Sequence, residues 1–386
     1  MRRAGGAGTR IARIAVHSSS NSAAQHGKTP PPLSWSEDMD SVSAAGTAAS
    51  KKVSWRQAVA KYENPDVRRS VWQIVNSVIP YFILWYLMYR SLEVSYWVTL
   101  PLAVLAAGFL VRIFIIFHDC GHGSFFRSHT ANDVVGFLTG VLTLTPYYSW
   151  RHEHASHHAT AGDLDRRGVG DVWTLTVKEY LDLSPRERFR YRFYRNPLVM
   201  LVIGPLFVFL IRHRLTQGTA SKRERHSVYW TNLALVGIVA LMGVTIGLKA
   251  FVLVQLPIVM ISTAAGVWLF YVQHQYEGVY WERHEDWDYV TVAVQGSSFY
   301  KLPKILQWLT GNIGYHHVHH LSPRIPNYYL ERCHEESSIF KEVKPITLLA
   351  SLKSFTFRLW DEDRRQLIGF GAVKGRREAE RSASHE

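Results

Sequence analysis

The sequence predicts an all-α integral membrane protein with about four transmembrane helices and a histidine-rich site on its cytoplasmic side. Three observations predict it: apolar runs of bilayer-crossing length, a one-sided placement of Lys and Arg around them, and three histidine clusters tied to them. The runs cover Val71 to Tyr89, Trp97 to Phe117, Val228 to Leu248 and Ala250 to Val272. Each approaches the roughly 20 residues that cross the hydrocarbon core as a helix.

Ahead of the first run, residues 1–53 are rich in Ala, Gly, Ser and Thr, and the part before Glu37 carries five Lys or Arg and no acidic residue. That composition is close to a transit peptide, but no apolar core or cleavage pattern accompanies it. The expectation is a disordered or mis-started tail, with Met39 opening a more ordinary basic N-terminus.

Lys51, Lys52, Arg56, Lys61, Arg68 and Arg69 precede the first span, and fifteen Lys or Arg lie from Arg127 to Arg225, between the second and third. The positive-inside rule places both segments in the cytoplasm. The turns expected outside, near Glu93 and Lys249, are short, so both termini and the functional bulk are expected on the cytoplasmic side. A net charge of +13 could mark a nucleic-acid binder. Its distribution is accounted for by the membrane, and no nucleic-acid partner is expected.

Two further apolar stretches, Val134 to Trp150 and Pro197 to Ile211, are near the lower limit for crossing, and "TLTPYYSW" interrupts the first with polar and helix-breaking residues. Both are read as interfacial or re-entrant. After the last span, "YEGVYWERHEDWD" (276–288) reads as a loop and short helix at the interface. Residues 361–386 are dense in charge and are expected to form a weakly packed tail. Cys120 and Cys333 cannot make a disulfide framework and read as small buried side chains.

The histidines are the strongest signal. "HDCGH" begins at His118, "HEHASHH" at His152 and "HHVHH" at His316. Residues three and four apart share a helix face, which aligns His118 with His122; His154 with His157 and His158; and His316 with His319 and His320. His152 and His317 fall off those faces and are not expected to bind metal directly. With 19 histidines in 386 residues, one HxxxH arises by accident about once, but each HxxHH only about 0.05 times. Eight aligned imidazoles exceed the four ligands of a closed zinc site and suggest two metal ions. Imidazole suits iron, copper and zinc alike, so the donor set leaves the metal open.

A shared site also constrains topology, because the three boxes meet only if an even number of crossings separates them. Keeping Val134 to Trp150 and Pro197 to Ile211 out of the crossing count satisfies this, with the last two spans as a hairpin between boxes two and three.

"HDCGH", "HASHH" and "HHVHH", in this order and with one hydrophobic hairpin before the third, resemble the three histidine boxes of membrane fatty acid desaturases. The resemblance covers residues 54–360. The wording of "HDCGHGSFF", "GDVWTLT" and "GNIGYHHVHHLSPRIPNY" is most similar to the acyl-lipid omega-6, or delta-12, group. It implies a cytoplasmic helical cap holding two Fe ions, with O2 as co-substrate. The implied ligands are His118, His122, His154, His157, His158, His316, His319 and His320, joined by His274, which matches a histidine that follows the last span.

Asp119, Glu153, Asp163, Asp165, Asp171, Asp286 and Asp288 are candidates to orient those imidazoles, Asp165 and Asp171 foremost. The resemblance further implies a fatty acyl lipid as substrate, oleoyl to linoleoyl, threaded into an apolar tunnel. Phe125, Phe126, Tyr147, Tyr148, Trp150, Trp173 and Tyr315 are candidates to line it. Electrons would come from a ferredoxin or cytochrome b5. A related hydroxylase or carotenoid ketolase shares the spacing, and a metal-binding membrane protein without catalysis is the third reading.

Overall fold

Asp66 opens the first membrane helix, α1 (Val67–Ser91), by accepting the N–H groups of Arg68 and Arg69. These donors would otherwise lack an intrahelical partner. The structure is a computed structural model and describes residues 54–373, so the expected tail over 1–53, Met39 included, lies outside the described residues. Ser95 caps α2 (Tyr96–His122) in the same way, and the helix stops at Gly123, whose φ of +69° suits a left-handed C-terminal residue.

The apolar stretch at Val134 to Trp150 is split between two helices, α3 (His129–Leu142) and α4 (Tyr147–Thr160). Leu144 at φ +57° and Pro146 break it. Each piece has 14 residues, about 21 Å at helical rise, short of the roughly 30 Å hydrocarbon core. Next come α5 (Pro185–Tyr194), a π-helical stretch Val199–Ile203 and α6 (Gly204–Leu210). This second apolar stretch is bent by 61° against α5, so only as a broken pair could it count as a fifth span.

The hairpin follows as α7 (Lys222–Thr245) and α8 (Leu248–His274). Its turn is tighter than expected: Gly247 at φ +85° makes the return, and Leu248 and Lys249 belong to the last helix. Among the described residues, α1, α2, α7 and α8 are the four helices long and apolar enough to cross a membrane.

The centre of the bundle is α2, which packs against α1, α3, α4 and α8. Ala103, Ala106 and Ala107 are buried along it beside Tyr81, Met88, Val254 and Ile258. Small side chains permit the close helix approach by which apolar helices associate in lipid. The opposite faces expose Trp72, Ile79, Ile83 and Val236, as helices solvated by lipid require.

The cap is helical with two small sheets that the all-α reading did not anticipate, since strands of two or three residues carry no periodic signal. In chain order the strands are β1 (Leu175–Thr176), β2 (Phe299–Lys301), β3 (Pro345–Thr347), β4 (Leu359–Asp361) and β5 (Gln366–Ile368). One sheet has the order β1-β4-β5 and the other pairs β2 with β3 in parallel. The boundary expected at residue 361 falls inside the β4–β5 hairpin. Leu367, Ile368 and Val373 are buried there, so apolar residues among the charges anchor this part of the chain.

Two short helices complete the site, α9 (His316–Leu321) and α10 (Asn327–Glu336). Between α3 and α4 the packing leaves no spare volume: a Cβ on Gly136 would lie 2.2 Å from Tyr147 Cε2. Tyr147 is buried and donates its hydroxyl to the Cys120 carbonyl at 2.6 Å. Gly136→Ala is therefore expected to destabilise the fold by about 1–3 kcal/mol through overpacking. Gly237→Ala, with open space around it, should leave the unfolding temperature unchanged or raise it. Thermal unfolding of the two purified variants checks the contrast.

Candidate metal centre

Two membrane helices end in the site. The last turn of α2 supplies His118 and His122, and the final residue of α8 is His274. The short helix α4 contributes His154, His157 and His158, while α9 supplies His316, His319 and His320 from a segment in which every residue is buried. The Tyr289 hydroxyl holds α9 in place by donating to the carbonyls of His320 and Leu321, at 2.9 and 3.1 Å.

These nine imidazoles gather into two groups. His118, His122, His154, His158 and His319 form one, and His157, His274, His316 and His320 the other, with one ring nitrogen of each within 4.8 Å of the rest of its group. The groups adjoin, since the rings of His158 and His320 stack at 4.2 Å.

Hydrogen bonding decides what the ring nitrogens can do. Asp171 Oδ1 lies 2.5 Å from His157 Nδ1, Asp119 Oδ1 lies 3.0 Å from His118 Nδ1, and the Gly296 carbonyl lies 3.4 Å from His274 Nδ1. Each acceptor keeps the proton on Nδ1 and leaves a lone pair on Nε2. The Nε2 atoms of His157 and His274 are nevertheless 3.1 Å apart, and His316 Nε2 is 3.0 Å from that of His274.

Two lone pairs at that distance cannot hydrogen-bond, whereas a cation between them satisfies both. Nitrogens bound at about 2.1 Å to one metal lie about 3 Å apart when adjacent, so the donor set fits. In the other group, His158 Nε2 is 3.2 Å from His154 Nε2 and 3.0 Å from His319 Nε2. His122 Nε2 is buried there without a hydrogen-bond partner among the described residues.

Burial first, and then the neighbouring imidazoles, hold His154, His158, His316, His319 and His320 well below the usual imidazole range. Their neutral form at pH 7 is the one that binds a metal. His152 is exposed on α4. His317 is buried but faces away, its Nε2 2.9 Å from His334 Nδ1. Cys120 packs among Ile116, Phe117, Phe125 and Tyr147 and joins neither group.

Of the two preferred carboxylates, only Asp171 touches a histidine of the groups. Asp165 instead accepts from Arg283 at 2.6 Å and from the His284 N–H at 3.0 Å, because those donors lie beside it on the cap surface. Its place is taken by Asp119. One oxygen meets His118, and the other accepts both the backbone and side-chain N–H of Asn327, at 2.7 and 2.8 Å. Gln73 of α1 completes the chain by donating to Asn327 Oδ1 at 3.0 Å.

An aspartate next in sequence to a ligand points elsewhere on an ideal helix, so helical spacing carries no signal for this contact. Among the other candidates, Glu153 accepts from Arg212, Asp163 pairs with Arg166 and His284, and Asp288 caps a helix through Thr291.

An apolar cavity lies one aromatic layer away from His154. Val111 and Phe114 of α2, Leu144, Phe209 of α6, and Thr263 and Gly266 of α8 form much of its wall. None of the aromatic residues expected from sequence lines it. Phe125, Phe126 and Tyr147 fill the core around Cys120, Tyr315 packs on Phe299, and Trp173 stays partly exposed against Tyr191. Trp150 stands one layer back, edge-on to Phe114 at 5.6 Å and stacked on His154 at 4.3 Å.

Comparison with known proteins gives a consistent result. Residues 95–344 match the family model described as fatty acid desaturase. The chain is 55% identical over 328 residues to a protein of Bacillus subtilis (strain 168) named fatty acid desaturase, covering 85% of this chain and 93% of the relative. It is 26% identical over 290 residues to an sn-1 acyl-lipid omega-3 desaturase (ferredoxin) of Nostoc sp., covering 70% and 75%. A Synechocystis sn-1 oleoyl-lipid 12-desaturase is 28% identical over 254 residues, covering 62% and 68%.

The carboxylate assignments carry a direct test. Asp171→Asn removes the carboxylate charge that holds the proton on His157 Nδ1 and should weaken metal retention about 10–100-fold, as should Asp119→Asn. Asp165→Asn should retain metal like the wild type. Elemental analysis of purified protein across a chelator series reads all three.

Proposed function

Because the chain belongs to the fatty acid desaturase family, we propose that it is an oxygen-dependent di-iron enzyme that places a cis double bond in the acyl chain of a membrane lipid. The observation that carries this reading is the meeting of nine imidazoles in two adjoining groups next to an apolar cavity. His118, His122, His154, His158 and His319 would hold one iron, and His157, His274, His316 and His320 the other.

When bound, the metals supply the oxidising power that removal of hydrogen from an unactivated methylene demands and that no side chain has. The overall reaction converts CH2–CH2, O2, two electrons and two protons into CH=CH and two waters. The protein's own contribution is position and exclusion. Asp119 and Asp171 keep protons on Nδ1 of His118 and His157. Phe114 of the cavity stands edge-on to Trp150, which stacks on His154, so one aromatic layer lies between the apolar cavity and the nearest imidazole.

The delta-12 position rests on the wording around the boxes. The names of relatives support an acyl-lipid substrate, and they divide between omega-3 and 12-desaturases. Relatives named with ferredoxin favour that donor over cytochrome b5. A cytoplasmic active site with both termini inside is supported by the Lys and Arg between the second and third spans. A donor steered to that basic face by complementary charge would slow as salt rises.

Expression in a lipid-producing host, followed by fatty acid analysis, tests the reaction. The expected product is a diene made from oleate, absent with His319→Ala. A hydroxy acid, a modified carotenoid, or an unchanged product with the variant overturns the reading. Electron transfer from reduced ferredoxin is expected to fall several-fold between about 50 and 500 mM salt, as screening shortens the reach of surface charge. Stopped-flow kinetics across that range measures it.

A further inference from the structure

Two segments leave the same end of the β2–β3 pair, where Lys301 is in register with Thr347. After β2 comes the short helix Lys304–Leu309, which exposes Ile305, Leu306 and Trp308. After β3 come Leu348, Leu349 and Leu352, also exposed. Ile305 and Leu349 are the most open, at 70% and 79%. The Tyr300 hydroxyl meets Ser351 Oγ at 2.9 Å and ties the two segments together. Large apolar side chains gathered on so short a stretch mark an interaction surface.

Depth along the spans identifies what covers it. Trp308 packs edge-on to Phe109 of α2 at 5.9 Å, and a Cβ on Gly108 would lie 3.2 Å from Leu309. Phe109 precedes His122 by 13 residues, about 20 Å at helical rise. With 27 residues, α2 is about 40 Å long, of which the hydrocarbon core takes about 30 Å. If the whole remainder of about 10 Å stands on the cap side, Phe109 still sits about 10 Å inside the hydrocarbon. The second segment runs along α8, where Phe355 stacks on Trp268 at 4.4 Å.

The chain then climbs back. At Gly311, with φ +54°, it turns against Ile115 of α2, and a Cβ there would come within 2.7 Å of the Ile115 side chain. His316 of the metal groups follows five residues later.

One cation holds the low point. Arg112, buried within α2, donates Nη1 to the Trp308 carbonyl and lies over the Trp308 ring at 4.0 Å. A charged side chain at this depth is costly and marks a function. Here it meets the carbonyl end of the short helix, the end that attracts cations. Exposed Lys301, Lys304 and Lys344 flank the two segments, as basic residues do at the headgroup level.

We propose that segments 304–309 and 348–355 form a re-entrant wedge seated in the acyl region of the leaflet on the cap side, with Arg112 as its clamp. The bilayer thereby holds the stretch that leads to His316, His319 and His320. Arg112 is a positioning residue that acts through Trp308. The proposal goes beyond the reaction and does not depend on it.

Fluorescence quenching of the full-length, metal-loaded protein in liposomes tests the proposal. Cys120 and Cys333 are buried, so a thiol-reactive fluorophore on Ile305→Cys, Leu349→Cys or the exposed cap control Lys178→Cys reports one site each. The first two labels are expected to be quenched by lipids brominated along the acyl chain and shielded several-fold from aqueous iodide, and the Lys178 label to behave the opposite way. Arg112→Gln should raise iodide quenching of the Ile305 label several-fold. Arg112→Lys, which keeps the charge but not the fork, should fall between and carries the test if the glutamine variant does not fold.

Iodide quenching at Ile305 and Leu349 equal to that at Lys178 overturns the proposal, because the patch then faces water. Shielding without bromolipid quenching, lost when the protein is diluted in the liposomes, assigns the patch to a second copy of the chain and overturns it as well. An Ile305 label whose depth is unchanged in both Arg112 variants overturns the clamp.

Discussion

The structure depends on one electrostatic constraint: buried nitrogen lone pairs that face one another at about 3 Å. His157 and His274 are each held by an acceptor on Nδ1, so their Nε2 atoms can meet only through a cation. Assembly of this kind is unfavourable in the metal-free chain and becomes favourable when metal binds, which couples site formation to folding. The carboxylates that enforce the tautomer therefore matter as much as the imidazoles they touch.

Meeting that constraint requires rigid delivery from four places in the chain. Two membrane helices do it by their lengths, α2 ending in His122 and α8 in His274. The short α4 reaches the same level because its partner α3 cannot cross the membrane, and α9 is sealed into the cap on every side. Asp119, Asn327 and Gln73 link α1, the end of α2 and the start of α10 in one buried hydrogen-bonded chain. This chain ties the first span to a ligand-bearing turn.

The cavity and the metal groups have opposite chemistry and are separated by little more than Phe114 and Trp150. An apolar floor beside a polar, charged centre suits a substrate that is mostly hydrocarbon and reacts at one place along its length.

The four spans, the break that keeps Val134 to Trp150 from forming one crossing helix, and the helix faces shared by the imidazoles were all legible in the sequence. Each follows from a period or a length that any helix imposes, as with His316, His319 and His320, and the exclusion of His152 and His317 came from the same geometry. What tertiary structure alone decided concerns contacts between distant segments. Asp165 and Asp171 look alike in sequence, yet only Asp171 reaches an imidazole, because the cap turns Asp165 toward Arg283. Asp119 gained its role from Asn327, 208 residues away. The short strands, the hairpin past residue 361 and the true lining of the cavity likewise arise from packing between separate elements, for which local pattern carries no record.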